Sequence, residues 1–230
     1  MRALLLAAGL GTRLRPITDK IPKCLVPIQG KPLLEIWLDK LYEAGVQEFL
    51  VNTHYLAAQV EEFISNSRYQ QVVSMVNESN LLGTAGTLHE NIDFFRGQDG
   101  MLIHADNFCL ADLRAFQQAH RNRPAECLVT MMTFDTDTPS LCGIIEQDER
   151  GVVIGFHEKV DHPPGNLANG AIYLLSSDFF QILATEFRDA SCFSTQILPK
   201  LMGRIYTYKT NAPLIDIGSP DAYKKANQLN

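Results

Sequence analysis

Short, saturated apolar runs alternate along this chain with longer segments in which apolar residues return every third or fourth position. The runs predict buried strands, because a strand covered on both faces has no polar side to alternate. The periodic segments predict amphipathic helices. Ala3–Ala8 reads as the first strand. Leu33, Leu34, Trp37, Leu38, Leu41 and Tyr42 mark a helix that Gly45 ends, with Trp37 on its apolar stripe and expected in the core. Strands are predicted at Phe49–Asn52, Gln71–Val76, Met101–Ala105 and Cys127–Phe134, and helices at Ala57–Ile64, Thr87–Phe95 and Leu113–His120. This alternation predicts an α/β fold, a Rossmann-like, doubly wound and mostly parallel sheet.

The rhythm changes after Asp135. "CGIIEQDERGVVIGFHEK" reads as two strands around Asp148-Glu149-Arg150-Gly151, a β-hairpin. "NGAIYLL" is a further strand, and the remainder reads as C-terminal α+β elements added to the core. "VDHPPGN" is the clearest loop. Repeats, low-complexity stretches and flexible linkers are absent from the sequence, so residues 1–230 are expected to form a single domain.

Composition narrows the partners. With 46% apolar residues the chain can bury a substantial core, and its net charge of −6 argues against a general nucleic-acid surface. A polyanionic ligand would therefore need local attraction or a metal. The five cysteines (Cys24, Cys109, Cys127, Cys142, Cys192) form no CxxC pair, which favours reduced thiols and a cytoplasmic location. Met1–Ala8 has the look of a signal peptide but continues into Gly-Leu-Gly-Thr-Arg, so a buried strand is expected there. No segment has the length of a membrane span.

The chemistry gathers first in "LLLAAGLGTRLRP", Leu4 to Pro16, where a buried run breaks into bare backbone and then positive charge. The dinucleotide fingerprint would need a glycine where Leu14 stands, and a P-loop would need Ser or Thr where Pro32 follows Lys31. What remains is a glycine turn whose N–H groups can approach an anion, a guanidinium fork at Arg13, and Lys23 ten residues on. A tight turn with solvated arginines accounts for the spacing almost as well. "HEKVDH" is no zinc motif, since His157 and His162 are five apart.

The longer string "LLAAGLGTRLRPITDKIPKCLVPIQGKPLLE" resembles the signature of the sugar-1-phosphate nucleotidyltransferases, LAxGxGTRLxPxTxxxPKxLxPxxxKPxxE. Five further stretches are similar to that family's motifs. "ESNLLGTAGTL" resembles its LGTAG segment, and "HADNF" its GD motif with Ala105 in place of glycine. "CGIIEQDERGVVIGFHEKV" resembles its sugar-binding stretch, with Cys142 for tyrosine and Val160 for proline. "NGAIYLL" matches the N-x-GIY strand, and "IDIGSPDAYKKAN" the C-terminal DIGTP segment with Ser219 for threonine. The resemblance spans the whole chain and ends without the left-handed β-helix domain that some relatives carry, so no such domain is expected. It is strongest to the short mannose-1-phosphate and heptose-1-phosphate guanylyltransferases.

That resemblance implies a reaction in which a sugar-1-phosphate and a nucleoside triphosphate give an NDP-sugar and pyrophosphate, with residues 1–134 mainly on the nucleotide side and 135–230 mainly on the sugar-phosphate side. Arg13, Lys23 and Asp106 are then the catalytic residues. Ala8, Gly9, Gly11, Thr12, Arg13, Lys23, Glu78, Gly83 and Thr84 bind nucleotide, and Gly143, Glu158, Lys159 and Asn169 bind sugar phosphate, with Asn169 either donating to a sugar hydroxyl or fixing its own turn. Asp106 and Asp216 hold Mg²⁺ or Mn²⁺; Asp106 alone could also cap the segment after it. Glu78 could accept from guanine's two adjacent donors, or merely order the loop before Leu81. The partners are these two small molecules, with no nucleic acid and no membrane, and a homo-oligomer stays open. Other readings are a uridylyl- or thymidylyltransferase for another hexose-1-phosphate, a phosphocholine-type cytidylyltransferase, and a non-catalytic sugar-nucleotide-binding regulatory protein.

Overall fold

The computed structural model describes residues 1–229. In chain order the elements begin with β1 (Arg2–Leu6), a short hairpin of β2 (Pro27–Ile28) and β3 (Lys31–Pro32), α1 (Leu33–Glu43), β4 (Glu48–Thr53), α2 (Ala57–Ser65) and β5 (Val73–Asn77). Next come α3 (Gly83–Glu90), β6 (Gly100–His104), β7 (Asn107–Cys109), α4 (Leu113–Arg121), β8 (Val129–Asp135), β9 (Gly143–Gln147) and β10 (Val153–Glu158). The chain closes with β11 (Leu167–Leu175), α5 (Ser177–Glu186), β12 (Ile205–Lys209), β13 (Leu214–Asp216) and α6 (Pro220–Gln228). The fold is mixed α/β with a mostly parallel central sheet, as the alternation predicts. Among the described residues no helix is long and apolar enough to cross a membrane.

The chain divides into two compact units. The first comprises Met1–Leu81, Ile103–Leu110 and the chain from Pro213 onward; the second comprises Leu82–Leu102 and Ala111–Ala212. The division drawn at residue 134 from the sequence does not coincide with these units. The chain leaves the first, returns briefly at the end of β6, and returns again at β13.

In the first unit β1, β4 and β5 run parallel, Arg2 opposite Glu48 and Phe49 opposite Val73. The C-terminal end of β6 lies on the other side of β1, giving the order β5-β4-β1-β6. Strand order therefore reverses between β1 and β6, and in an open α/β sheet the loops leaving such a point diverge and open a ligand crevice. Those loops are Ala7–Gly11 and Ala105–Asp106, the segments singled out by the sequence. The core beneath them is apolar by periodicity. Leu33, Leu34, Trp37, Leu38 and Leu41 of α1 are buried, and Gly45 ends that helix in the left-handed conformation.

The second unit carries the antiparallel additions. β9 and β10 form the expected hairpin, β11 pairs with β8 and β9, and β12 runs parallel to β8. Phe95 stacks on Phe180 at 4.4 Å, and Tyr173 meets Phe193 at 4.8 Å. The helix expected over Thr87–Phe95 is displaced: α3 starts at Gly83 and ends at Glu90, and a 3₁₀ turn follows at Ile92–Phe95. Its start is set by the Ser191 carbonyl, which accepts from the Ala85 N–H at 3.0 Å and satisfies a donor that a free helix end leaves open.

Candidate active site

The first unit gathers four charged side chains. Lys23 Nζ donates to Asp106 Oδ2 at 2.6 Å and to Asp216 Oδ1 at 3.2 Å, and Arg13 Nη2 lies 3.4 Å from Asp216 Oδ2. Asp106 and Asp216 are 110 residues apart in sequence, and backbone pairing brings them together. β13 lies antiparallel to β7 with Asp216 opposite Asn107, and the Ile217 N–H donates to the Asp106 carbonyl at 3.0 Å. Trp37 contributes more than apolar volume, since its indole N–H donates to the Asn107 carbonyl at 2.7 Å and seats that ladder. Asp106 caps no helix; Asp112 caps α4, accepting from Arg114 and Ala115.

The Lys23 side chain is only 7% exposed, so its ammonium requires partners; an unpaired buried charge costs several kcal/mol. Burial acts to raise the Asp106 carboxyl, but the Lys23 ammonium and His104 outweigh it and hold that carboxyl below the usual carboxylate range. Cys24, next in the chain, is fully enclosed, and burial pushes its thiol up to about 12, which leaves it chemically inert.

The glycine turn is held from below and open above. The Thr18 hydroxyl donates to the Gly11 carbonyl at 2.7 Å, and Gly11 has φ +64° with Thr18 Cγ2 only 2.8 Å from where a Cβ would stand. A Cβ on Gly9 would meet nothing within 4 Å. The N–H groups of Gly9, Leu10 and Gly11 donate to no other described residue. Successive open N–H groups beside a positive-φ glycine form an anion-binding concavity. Ala8 is buried beneath this turn, while Thr12 and Arg13 begin the exposed 3₁₀ turn that follows it. Ala105 is not among the residues with positive φ, so its backbone does not demand the glycine usual there.

Glu78 is 5% exposed. Its Oε1 accepts from Asn52 Nδ2 at 2.8 Å, while Asn52 Oδ1 accepts from the Ala7 N–H at 2.7 Å. One amide thus links Glu78 to the start of the glycine turn. Residue type gave Asn52 and Thr18 no signal, although Thr18 fills the threonine position of the quoted signature.

In the second unit Gly83 and Thr84 lock onto the Ser191–Phe193 segment. A Cβ on Gly83 would meet the Ser191 carbonyl oxygen at 2.3 Å, and Thr84 Oγ1 accepts from the Phe193 N–H at 2.8 Å. Gly143 and Glu158 are cross-strand partners, and Glu158 Oε2 lies 2.6 Å from a Gly143 Cβ position, so the glycine makes room for the carboxylate. Lys159 is exposed, its Nζ 3.6 Å from Glu158 Oε1. Asn169 fixes its own turn. Oδ1 accepts from the Ala171 N–H at 2.9 Å and Nδ2 donates to the Tyr173 hydroxyl at 2.7 Å, across a bulge in β11.

Among the described residues no group of three or more His, Cys, Asp or Glu side chains is placed to hold a metal. The pair Asp106 and Asp216 nonetheless fits a small hard cation. Both offer carboxylate oxygens, and Mg²⁺ commonly takes one or two carboxylates and completes its shell with water and phosphate.

Comparison with known proteins gives the family of the chain. The family model described as Nucleotidyl transferase matches residues 2–230. D-glycero-alpha-D-manno-heptose 1-phosphate guanylyltransferase of Campylobacter jejuni is 31% identical over 224 residues, 97% of each chain. Mannose-1-phosphate guanylyltransferase of Mycobacterium tuberculosis is 28% identical, over 98% of this chain and 63% of its own length. Among solved structures, HddC from Yersinia pseudotuberculosis complexed with GMP-PN superposes with a TM-score of 0.81 at 26% identity, covering 99% of this chain and 98% of that one.

Proposed function

This chain belongs to the nucleotidyl transferase family, and we propose that it transfers the guanylyl group of GTP to mannose-1-phosphate or a heptose-1-phosphate, giving a GDP-sugar and pyrophosphate. The quartet of Arg13, Lys23, Asp106 and Asp216 carries this reading, because transfer between two anions needs cations and metal-ligating oxygens and no protein nucleophile. The guanine assignment is supported by the names of the relatives in C. jejuni and M. tuberculosis. The free thiols go with a cytoplasmic location.

A sugar-phosphate oxygen bonds to the α-phosphorus as the bond from that phosphorus to the bridging oxygen breaks, and the electron pair leaves with pyrophosphate. Atoms and charge balance without a further reactant. The open N–H groups of Gly9–Gly11 bind triphosphate oxygens, and Arg13 neutralises the departing pyrophosphate. Lys23 carries positive charge to the α-phosphate, Glu158 accepts from sugar hydroxyls and Lys159 holds the sugar phosphate. Glu78, anchored by Asn52, orders the turn on which the base rests. Asp106 and Asp216 would hold Mg²⁺ or Mn²⁺, which when bound supplies charge stabilisation to phosphate oxygens.

The test is a matrix of GTP, UTP, dTTP and CTP against mannose-, heptose-, glucose- and N-acetylglucosamine-1-phosphates and phosphocholine, with pyrophosphate release as readout and Mg²⁺ varied. GTP with a manno-configured sugar phosphate is the expected pair. A preference for UTP or dTTP rejects the base, and no turnover with any pair rejects the enzyme.

A further inference from the structure

Lys23 occupies the position that the two aspartates would offer to any cation. Its ammonium touches Asp106 at 2.6 Å and Asp216 at 3.2 Å, and its side chain is nearly enclosed. The 3₁₀ turn that carries it, Lys23–Leu25, is buried at all three residues, so the backbone end of the lysine is fixed while its four-carbon stem can still turn. Arg13 does not share this position, being 72% exposed and reaching only Asp216 at 3.4 Å.

We propose that Lys23 is a resident counter-ion. It satisfies the two aspartates in the resting protein and keeps a divalent cation off them until nucleotide phosphate draws the ammonium away. This rests on the function proposed above, since it needs a phosphate to receive the lysine. The ammonium and a divalent cation compete for the same carboxylate oxygens, so each disfavours the other. A phosphate that takes up the ammonium removes that competition. Metal and nucleotide then bind with reciprocal positive coupling, about 5- to 150-fold by the usual scale of linked sites. The metal is thereby recruited with its substrate, and the two aspartates, one part-buried and one exposed, always face a cation.

The test measures Mn²⁺ binding by electron paramagnetic resonance, with the metal alone and no nucleotide. Wild type should bind weakly. Lys23→Met and Lys23→Gln, which remove the charge, should bind about tenfold more tightly or better, and Lys23→Arg, which keeps it, should stay close to wild type. A neutral variant that folds only when Mn²⁺ is supplied supports the proposal as well. Equal or weaker Mn²⁺ binding in the neutral variants overturns it, as does a neutral variant that stays unfolded with Mn²⁺ present. Pyrophosphate release by wild type reports on the function separately. An active wild type with unaltered Mn²⁺ affinity in Lys23→Met sinks the counter-ion and leaves the enzyme, whereas tighter Mn²⁺ binding in the variant with no turnover by wild type does the reverse.

Discussion

Gly218 carries no chemistry, yet Gly218→Ala should disable the site. A Cβ there would stand 2.7 Å from Arg13 Nη2, 3.0 Å from Arg13 Cζ and 2.8 Å from Asp216 Oδ2. Ordinary contact begins at 3.4 Å, so the guanidinium and the carboxylate must each retreat by more than half an ångström. The backbone is not left-handed at Gly218, so alanine brings no conformational strain. Arg13 is 72% exposed and Asp216 52%, and both can move into solvent at little cost to folding. Gly218 is itself buried, but the atoms it displaces are the outer ends of two exposed, flexible side chains, so the stability change should stay within about 1 kcal/mol, at the mild end for single substitutions.

The catalytic consequence differs in scale. A misplacement approaching 1 Å in a positioned group costs about 10²-fold in rate, close to 2.7 kcal/mol of barrier. Because Arg13 is assigned to charge that accumulates as pyrophosphate departs, the loss should fall on kcat, with KM for nucleotide changing little. The assay is steady-state pyrophosphate release beside urea denaturation. Gly165→Ala serves as control, since a Cβ there meets nothing within 4 Å. If Gly218→Ala keeps kcat within about threefold of wild type, or loses it only in proportion to unfolded protein, then the crowding of Arg13 has no catalytic meaning and its assignment to the departing charge is refuted.

Two further substitutions probe the scaffold. Ala171 sits at φ +52° in the β11 bulge, a conformation that costs an L-residue about 1–2 kcal/mol, of which Ala171→Gly should recover about 0.5–1 kcal/mol after the unfolded-state entropy of glycine is subtracted; a lower denaturation midpoint would contradict this. His120 is buried, its Nδ1 is 2.7 Å from the Thr130 hydroxyl, and burial lowers its pKa, with Arg123 and Arg121 adding to that and Asp99, 3.5 Å from Nε2, only partly opposing it. Its neutral form contributes stability that is complete above about pH 6.5, the ordinary value, and is lost as pH falls through the lower folded value; His120→Gln should flatten that slope in denaturation midpoints, and an unchanged slope would refute the assignment.

Strands buried on both faces were legible because each carries a run of apolar residues at its centre, which is why β1, β4, β6 and β8 fall within a few residues of the runs that predict them. β7 and β13 were not legible. Each has three residues, too few for any period, and they exist because Asp216 pairs opposite Asn107. The same brevity hid the reason that two distant aspartates meet. The displacement of α3 has a tertiary cause, the Ser191 carbonyl at its N-terminus, which no local propensity encodes.

Within the site, residue type announced the charged groups and said nothing of what holds them. Asn52, Thr18 and Gly218 act through one amide, one hydroxyl and one missing Cβ, features that any surface loop also shows. Composition alone leaves a real problem: a chain of net charge −6 must attract a polyanion. Counting Arg13 and Lys23 as free positive charge would solve it, but the structure pairs them with Asp216 and Asp106, two cations against two carboxylates. The quartet is formally neutral at rest, so its local field is weak. What the resting first unit offers an incoming triphosphate is the uncommitted N–H dipoles of Gly9–Gly11. Strong positive charge becomes available only when the carboxylates exchange their ammonium for another cation. Net repulsion is thereby tolerated, because the anion need not be drawn from afar by the protein alone; it can arrive already complexed with the cation that takes over the carboxylates as the phosphate takes up Lys23.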